Sequence, residues 1–201
     1  MPPGLFPEEP SETRIEILKA TYSALCEHGY ADLTIERIGQ HFPKSTSLVY
    51  HHYEGKDELL LDFLSYLLED AEENLGTDAA ANAHERLQMI FDQVFTQEKS
   101  SEEIAFQQAM AWMRAQATTD EEYRHHFTQH DRFFRDQLAD IIRDGIEEGE
   151  FKEVDPEQMG IALHTILSGT MAQQVTSDVD LSTLRAEAEA YVEARLLAEG
   201  R

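Results

Sequence analysis

Apolar residues along this chain recur every three or four positions, and most of these stretches open on a capping residue and close on glycine or proline. That period confines the fold to packed helices, since a half-buried strand needs alternation at every second residue. No two alternating stretches are placed to pair as a hairpin. Ser11 can cap a first helix with Ile15, Leu18, Tyr22 and Leu25 on one side, and Gly29 ends it. Thr34 caps a short second helix carrying Ile35, Ile38 and Phe42, and Pro43 bars its continuation. Ser45 caps a third helix running to about His52, and Gly55 breaks the chain. Lys56 begins a long fourth helix with Leu59, Leu60, Phe63, Leu64, Leu67 and Leu68 on one face; Gly76 and the run TDAAAN mark its end. Asn82 caps a fifth (Leu87, Ile90, Phe91, Val94, Phe95), and QEKSSEE leads into a sixth (Phe106, Met110, Met113). TTDEE opens a seventh from about Asp120 to Glu148, ended by Gly149. The Val154-Asp155-Pro156 turn opens an eighth, and a ninth spans about Leu181 to Glu199. The expected class is all-α.

The eighth helix sets the assembly. Gln158 to Ser177 holds no Asp, Glu, Lys or Arg, in a chain that is 28% charged. An uncharged helix on a charge-dense protein needs cover. Either it is central and fully buried, or one face awaits a partner. Ser168, Gly169 and Thr170 are small enough to let a second backbone approach. The simplest partner is the same helix of another copy, in a two-fold four-helix bundle with the ninth helices. Its expected contacts are Ile166, Ser168, Gly169, Thr170 and Gln173, with Leu181, Leu184, Ala188 and Tyr191 from the ninth helix.

Forty acids face sixteen bases, for a net charge of −24. The acids are scattered along the chain and not gathered in one tail, which fits a surface kept solvated in concentrated salt. Residues 1–60 hold 10 acids and 5 bases, whereas 61–201 hold 30 and 11. From Arg37 to Tyr53 there is no acid at all, but Arg37, Lys44 and three histidines. Phosphate binding needs such a local field, not a favourable global one. No run of about 20 apolar residues offers a membrane span. MPPGLFPEEPSETR lacks the basic and apolar regions of a secretory signal and is expected to be a flexible leader over 1–10. The lone Cys26 forms no disulfide within the chain, which fits the cytoplasm.

The acid-free stretch has the layout of a helix-turn-helix, whose second helix enters the major groove and touches bases with its early residues. Thr46 and Ser47 offer hydroxyls, and an exposed Leu48 would meet a thymine methyl. Tyr50 and His52 are long enough to reach backbone or base. Lys56 opens the next helix, where free N–H groups and positive charge meet a phosphate. Thr34 and Arg37 can anchor the flanking strand, with Lys44 and Ser45 beside them. On periodicity alone the same stretch serves equally as plain core, with Tyr50 and Tyr53 inward.

Rival chemistries have less to offer. Glu122, His126 and His130 share one helical face and could hold a metal, but a solvated face is the simpler account, and no metal or cofactor is expected. No phosphate-binding glycine loop, HExxH or Gly-x-Ser-x-Gly occurs, and no enzyme is expected. Phe91, Phe95, Phe106, Gln107, Met110, Trp112, Met113, Tyr123, Phe127, Phe134, Met159, Leu163, His164 and Ile166 can surround a pocket for an apolar or amphipathic ligand, or simply fill a core.

Arg14, Ile17-Leu18, Ala20, Gly29-Tyr30, Leu33-Thr34, Ile38-Gly39, Ser45, Tyr50, His52-Tyr53, Lys56-Asp57 and Leu59-Leu60 resemble, at ungapped spacing, the N-terminal domain of the TetR family of transcription regulators. Asp144-Gly145-Ile146, Gly149-Glu150, Asp155-Pro156 and Leu163 to Gly169 are similar to the end of its seventh helix and to its eighth. The resemblance implies a homodimer whose three N-terminal helices read a pseudo-palindromic double-stranded operator. The remainder forms a body for dimerisation and for an unknown small effector. On this reading a helix-turn-helix domain spans 11–55 and the body 56–201, and the chain is a repressor released by its effector. A dimeric helical module without DNA binding, or a metal-binding bundle, are the alternatives. Phe42-Pro43-Lys44 departs from the family turn, which carries a small residue, glycine and valine, since proline cannot supply glycine's positive φ.

Overall fold

The computed structural model describes residues 13–73, 80–96 and 98–197. Among them the chain forms nine helices: α1 (Thr13–His28), α2 (Ile35–His41), α3 (Thr46–His52), α4 (Lys56–Glu73), α5 (Ala83–Val94), α6 (Ser101–Gln116), α7 (Glu121–Glu147), α8 (Pro156–Thr176) and α9 (Leu181–Arg195). No strand occurs among the described residues; one isolated antiparallel bridge joins Phe151 to Leu197. The expected leader, the Ser11 cap and the Gly76 stop lie outside the described residues.

The chain divides into two compact units. The first takes Met1–Glu73 and Lys99–Thr128, the second Asn74–Glu98 and Gln129–Arg201. In the first, Ile17, Leu18, Tyr22 and Leu25 of α1 pack with Leu59, Leu60, Phe63 and Leu64 of α4. Met113, Tyr123 and Phe127 close the same cluster. Gly29 stands at φ +71°, the left-handed position that ends α1, and donates its N–H to Leu25 O at 2.9 Å.

The turn between α2 and α3 is made without any left-handed residue. Phe42 is extended (φ −89°, ψ 126°), the conformation a following proline favours. Its ring is buried in the core, while Pro43 and Lys44 are exposed. Gly39 supplies what the turn does not: a Cβ there would lie 2.2 Å from Thr46 Oγ1. The missing side chain lets α3 sit close against α2.

In the second unit, Leu87, Phe91, Leu138, Ile142, Met159, Leu163, Leu167, Val192 and Leu196 form one core from α5, α7, α8 and α9. Asp155 caps α8, with Pro156 in its first turn where a missing N–H costs nothing. At Gly160 a Cβ would stand 2.7 Å from the backbone oxygen of Arg135, so α8 crosses α7 closely. The ninth helix ends earlier than its sequence period suggests, because Leu196 leaves it to accept the Lys152 N–H at 2.6 Å. The α7–α8 loop thus holds the chain that would have extended α9. Nor is α8 fully buried in the single chain. Met159, Leu163, Leu167 and Thr170 point to the core, whereas Ile161 is 49% and Met171 48% exposed, beside exposed Thr165, Ala172 and Gln173.

Candidate DNA-reading surface

Each capping residue of the reading head acts locally. The Thr34 side chain accepts the Arg37 N–H at 3.2 Å and Ser45 Oγ accepts the Ser47 N–H at 3.3 Å. Val49 anchors α3 in the core. Ser45, Ser47, Tyr50, His51 and His52 face outward, Tyr50 with 52% of its surface exposed. Two of the expected readers differ from expectation. Leu48 is half-buried and packs against the core, and Thr46 is turned toward Gly39.

The cations of this surface already have partners. The Lys44 ammonium donates to the Glu16 carboxylate and, at 3.3 Å, to the Thr13 hydroxyl. The Arg37 guanidinium donates to the Asp32 carbonyl and lies 3.6 Å from its carboxylate. The Tyr50 hydroxyl donates to Glu36 at 2.9 Å. That bond raises the Tyr50 hydroxyl above its ordinary range. The Glu36 carboxyl is lowered by its own backbone N–H first and by Tyr50 second. The Lys56 ammonium sits 5.2 Å from the centre of the Tyr30 ring, which stacks on Trp112.

One node was not legible in the sequence. The Arg14 guanidinium donates to both oxygens of Asp62 at 2.7 and 2.9 Å, and the Tyr53 hydroxyl donates to the same carboxylate at 2.6 Å. Tyr53 immediately follows α3, so α1, α4 and the end of the reading helix meet on one carboxylate. Burial pushes Asp62 up, but Arg14 and Tyr53 together outweigh it and hold the carboxyl below its ordinary range. Asp62 also lines a cavity of about 660 Å³ with Glu58, Leu61, Ser65, Glu121, Glu122, His125 and His126.

None of the expected pocket residues lines that cavity. Met113, Tyr123 and Phe127 are buried in the first core, with Phe106 and Met110 packed against it. The side chain of Gln107 accepts from Lys99 at 3.1 Å, and Trp112 is exposed. Phe91, Phe95, Met159 and Leu163 are buried in the second core. There Phe134 packs edge-on to His130, and His164 lies 3.2 Å from Ser168 and 3.7 Å from Asp131. Of the residues expected between two copies, Thr170 and Ala188 are buried within the protomer. Ile166, Leu184 and Tyr191 are half-buried against its core, Leu181, Ser168 and Gly169 are half-exposed, and Gln173 is exposed. The Glu122, His126 and His130 donors do not converge; among the described residues those of Glu27, His28 and His41 do.

Two short helices in close contact at a glycine, the second with an outward polar face, have the layout of a helix-turn-helix. The sequence model of bacterial regulatory proteins of the tetR family matches residues 17–63, and that of the BetI-type transcriptional repressor C-terminal domain matches 83–197. The chain belongs to the TetR family of transcriptional regulators. It is a ligand-responsive, DNA-binding repressor of that family. A TetR transcription regulator from Haloarcula marismortui superposes with a TM-score of 0.81 at 36% identity, over 92% of this chain and 98% of that one. The transcriptional repressor AcnR of Corynebacterium efficiens is 23% identical over 170 residues, covering 84% of this chain and 85% of its own. A regulator from Saccharomonospora viridis, solved in complex with choline, shares the fold at 20% identity and a TM-score of 0.77, over 92% of this chain and 98% of its own. Among the described residues no helix is long and apolar enough to cross a membrane.

Proposed function

We propose that two copies of the chain lay α3 into successive major-groove turns of a pseudo-palindromic operator, pairing through the uncharged face of α8 with α9. The outward set Ser45, Ser47, Tyr50, His51 and His52, held by buried Val49, is the observation that carries this reading. Ser47 and Tyr50 read base edges. Thr34, Arg37, Lys44, Lys56 and His52 contact phosphates once the existing ion pairs yield to the stronger field of the duplex. Gel-shift titration against the DNA upstream of the gene tests it. Ser47→Ala and Tyr50→Phe should change which duplexes are preferred, while Lys56→Ala should weaken all of them and lower the salt slope by about one. Unchanged affinity of Lys56→Ala for every duplex would place α3 elsewhere.

The effector reading follows from the cavity. Its wall includes Asp62, whose carboxylate also holds Arg14 and Tyr53. A small ligand drawing on that carboxylate competes with the bonds that fix the end of α3, and so favours the conformation that releases DNA. Four carboxylates and Leu61 suit an amphipathic cation better than a purely apolar molecule. None of the described lining residues is Phe, Tyr or Trp, so the ring cage that holds quaternary ammonium ions is not formed there. The scattered acids serve solubility in concentrated salt. Refolding at low and at molar salt should show greater stability in salt, and equal stability would remove that reading.

A further inference from the structure

We propose that Glu27, His28 and His41 form a divalent transition-metal site, of zinc-like chemistry, that joins the end of α1 to the end of α2. Each side chain offers one donor atom, and the three atoms lie within 4.8 Å of one another. His41 Nε2 is 3.3 Å from one carboxylate oxygen of Glu27, and His28 Nε2 is 3.8 Å from the other. Donors around a tetrahedral zinc ion stand roughly 3.4 Å apart, so the trio closes on an ion with little movement.

Two independent observations point to a ligand. His28 Nε2 is buried and makes no hydrogen bond, a costly state for a ring nitrogen unless something else satisfies it. The neighbouring Glu27 carboxylate is beyond hydrogen-bond reach at 3.8 Å. The donors also occupy the last residues of two helices, since α1 ends at His28 and α2 at His41. Unsatisfied carbonyls at helix C-termini carry partial negative charge and favour a cation. Two imidazoles with one carboxylate select zinc-like ions over calcium or magnesium, which prefer all-oxygen shells. Three protein ligands leave a fourth position for water.

The site lies one residue before Phe42 and the turn into α3. An ion there clamps α2 to α1 and fixes the platform on which the reading helix sits.

Full-length protein, first stripped with a chelator, is titrated with Zn²⁺ by calorimetry and with Co²⁺ by absorbance. One Zn²⁺ per chain is expected, together with an intense tetrahedral Co²⁺ band. Glu27→Gln and His41→Gln should each weaken binding by at least about tenfold, no less than the loss of an outer-shell partner costs. His126→Gln should bind as the wild type does. In the wild type, Zn²⁺ should shift the ring resonances of His28 and His41 among the nine histidines. That measurement decides even where a variant folds poorly. Equal affinity in both ligand variants, loss of binding in His126→Gln instead, or unshifted His28 and His41 resonances overturns the proposal.

Discussion

The α3 surface and the outer face of α8 are both free of acids in sequence, yet they differ in space. On α3 the neighbouring acids return from elsewhere: Glu16 holds Lys44, Asp32 holds Arg37 and Glu36 holds Tyr50. The α8 face carries no charge of its own, and Ile161 and Met171 remain exposed beside Thr165 and Ala172. An acid-free run therefore does not define a neutral surface. The first face is a set of provisional ion pairs and one hydrogen bond that a polyanion can displace. The second gains only by meeting another apolar surface, because there is no charge to exchange.

The largest effect should come from charging the second face. Ile161→Glu is expected to weaken self-association by at least about 100-fold, or about 3 kcal/mol, since the new carboxylate would be buried unpaired. Sedimentation equilibrium reads it, and an unchanged dimer constant takes α8 out of the interface.

Two glycines separate the faces further. Gly39→Val should destabilise the fold by about 1–3 kcal/mol in thermal or denaturant unfolding, because its Cβ meets Thr46 at 2.2 Å. Gly169 has nothing within 4 Å in the single chain. Gly169→Val should leave the unfolding of dilute monomer unchanged and weaken only association.

The Asp62 node gives a pH test. Its carboxyl is held below the ordinary range in the fold, so its contribution is complete above the unfolded value of about 3.9 and lost as pH falls through the depressed folded value. Asp62→Asn should cost about 1 kcal/mol at neutral pH, a modest figure because Arg14 is 40% exposed and screened. The gap between variant and wild type should close in acid below about pH 4. A gap that persists there would mean packing, not charge, holds the node.

The smallest effect tests the provisional pairs. Glu16→Gln frees Lys44 and should strengthen DNA binding by a few-fold at low salt, with a salt slope steeper by about one. An unaltered slope would mean Lys44 never reaches phosphate.

What the sequence revealed follows the range of each interaction. Thr34, Ser45, Asn82 and Asp155 each cap their helix by accepting an N–H two or three residues on, so a short window suffices to find them. Lys44 and Glu16 are 28 residues apart, and Arg14 and Asp62 are 48 apart. Nothing in local spacing pairs those charges. Apolar period likewise marks Met113, Phe91 and Leu163 without saying whether the space beside them is filled. They are buried in cores, while the cavity is lined by other residues, four of them carboxylates. Phe42-Pro43 illustrates the intermediate case. Proline's bias toward an extended preceding residue is local, but the burial of the Phe42 ring depends on the core it enters.

That proline has a consequence for the operator. With φ fixed at Pro43 and the Phe42 ring locked in the core, the elbow before α3 has little freedom to flex. A stiff reader hands the work of mutual fit to its template. Base steps that kink or twist readily would then be favoured at positions no side chain touches, and selectivity would be written partly in the mechanics of the duplex.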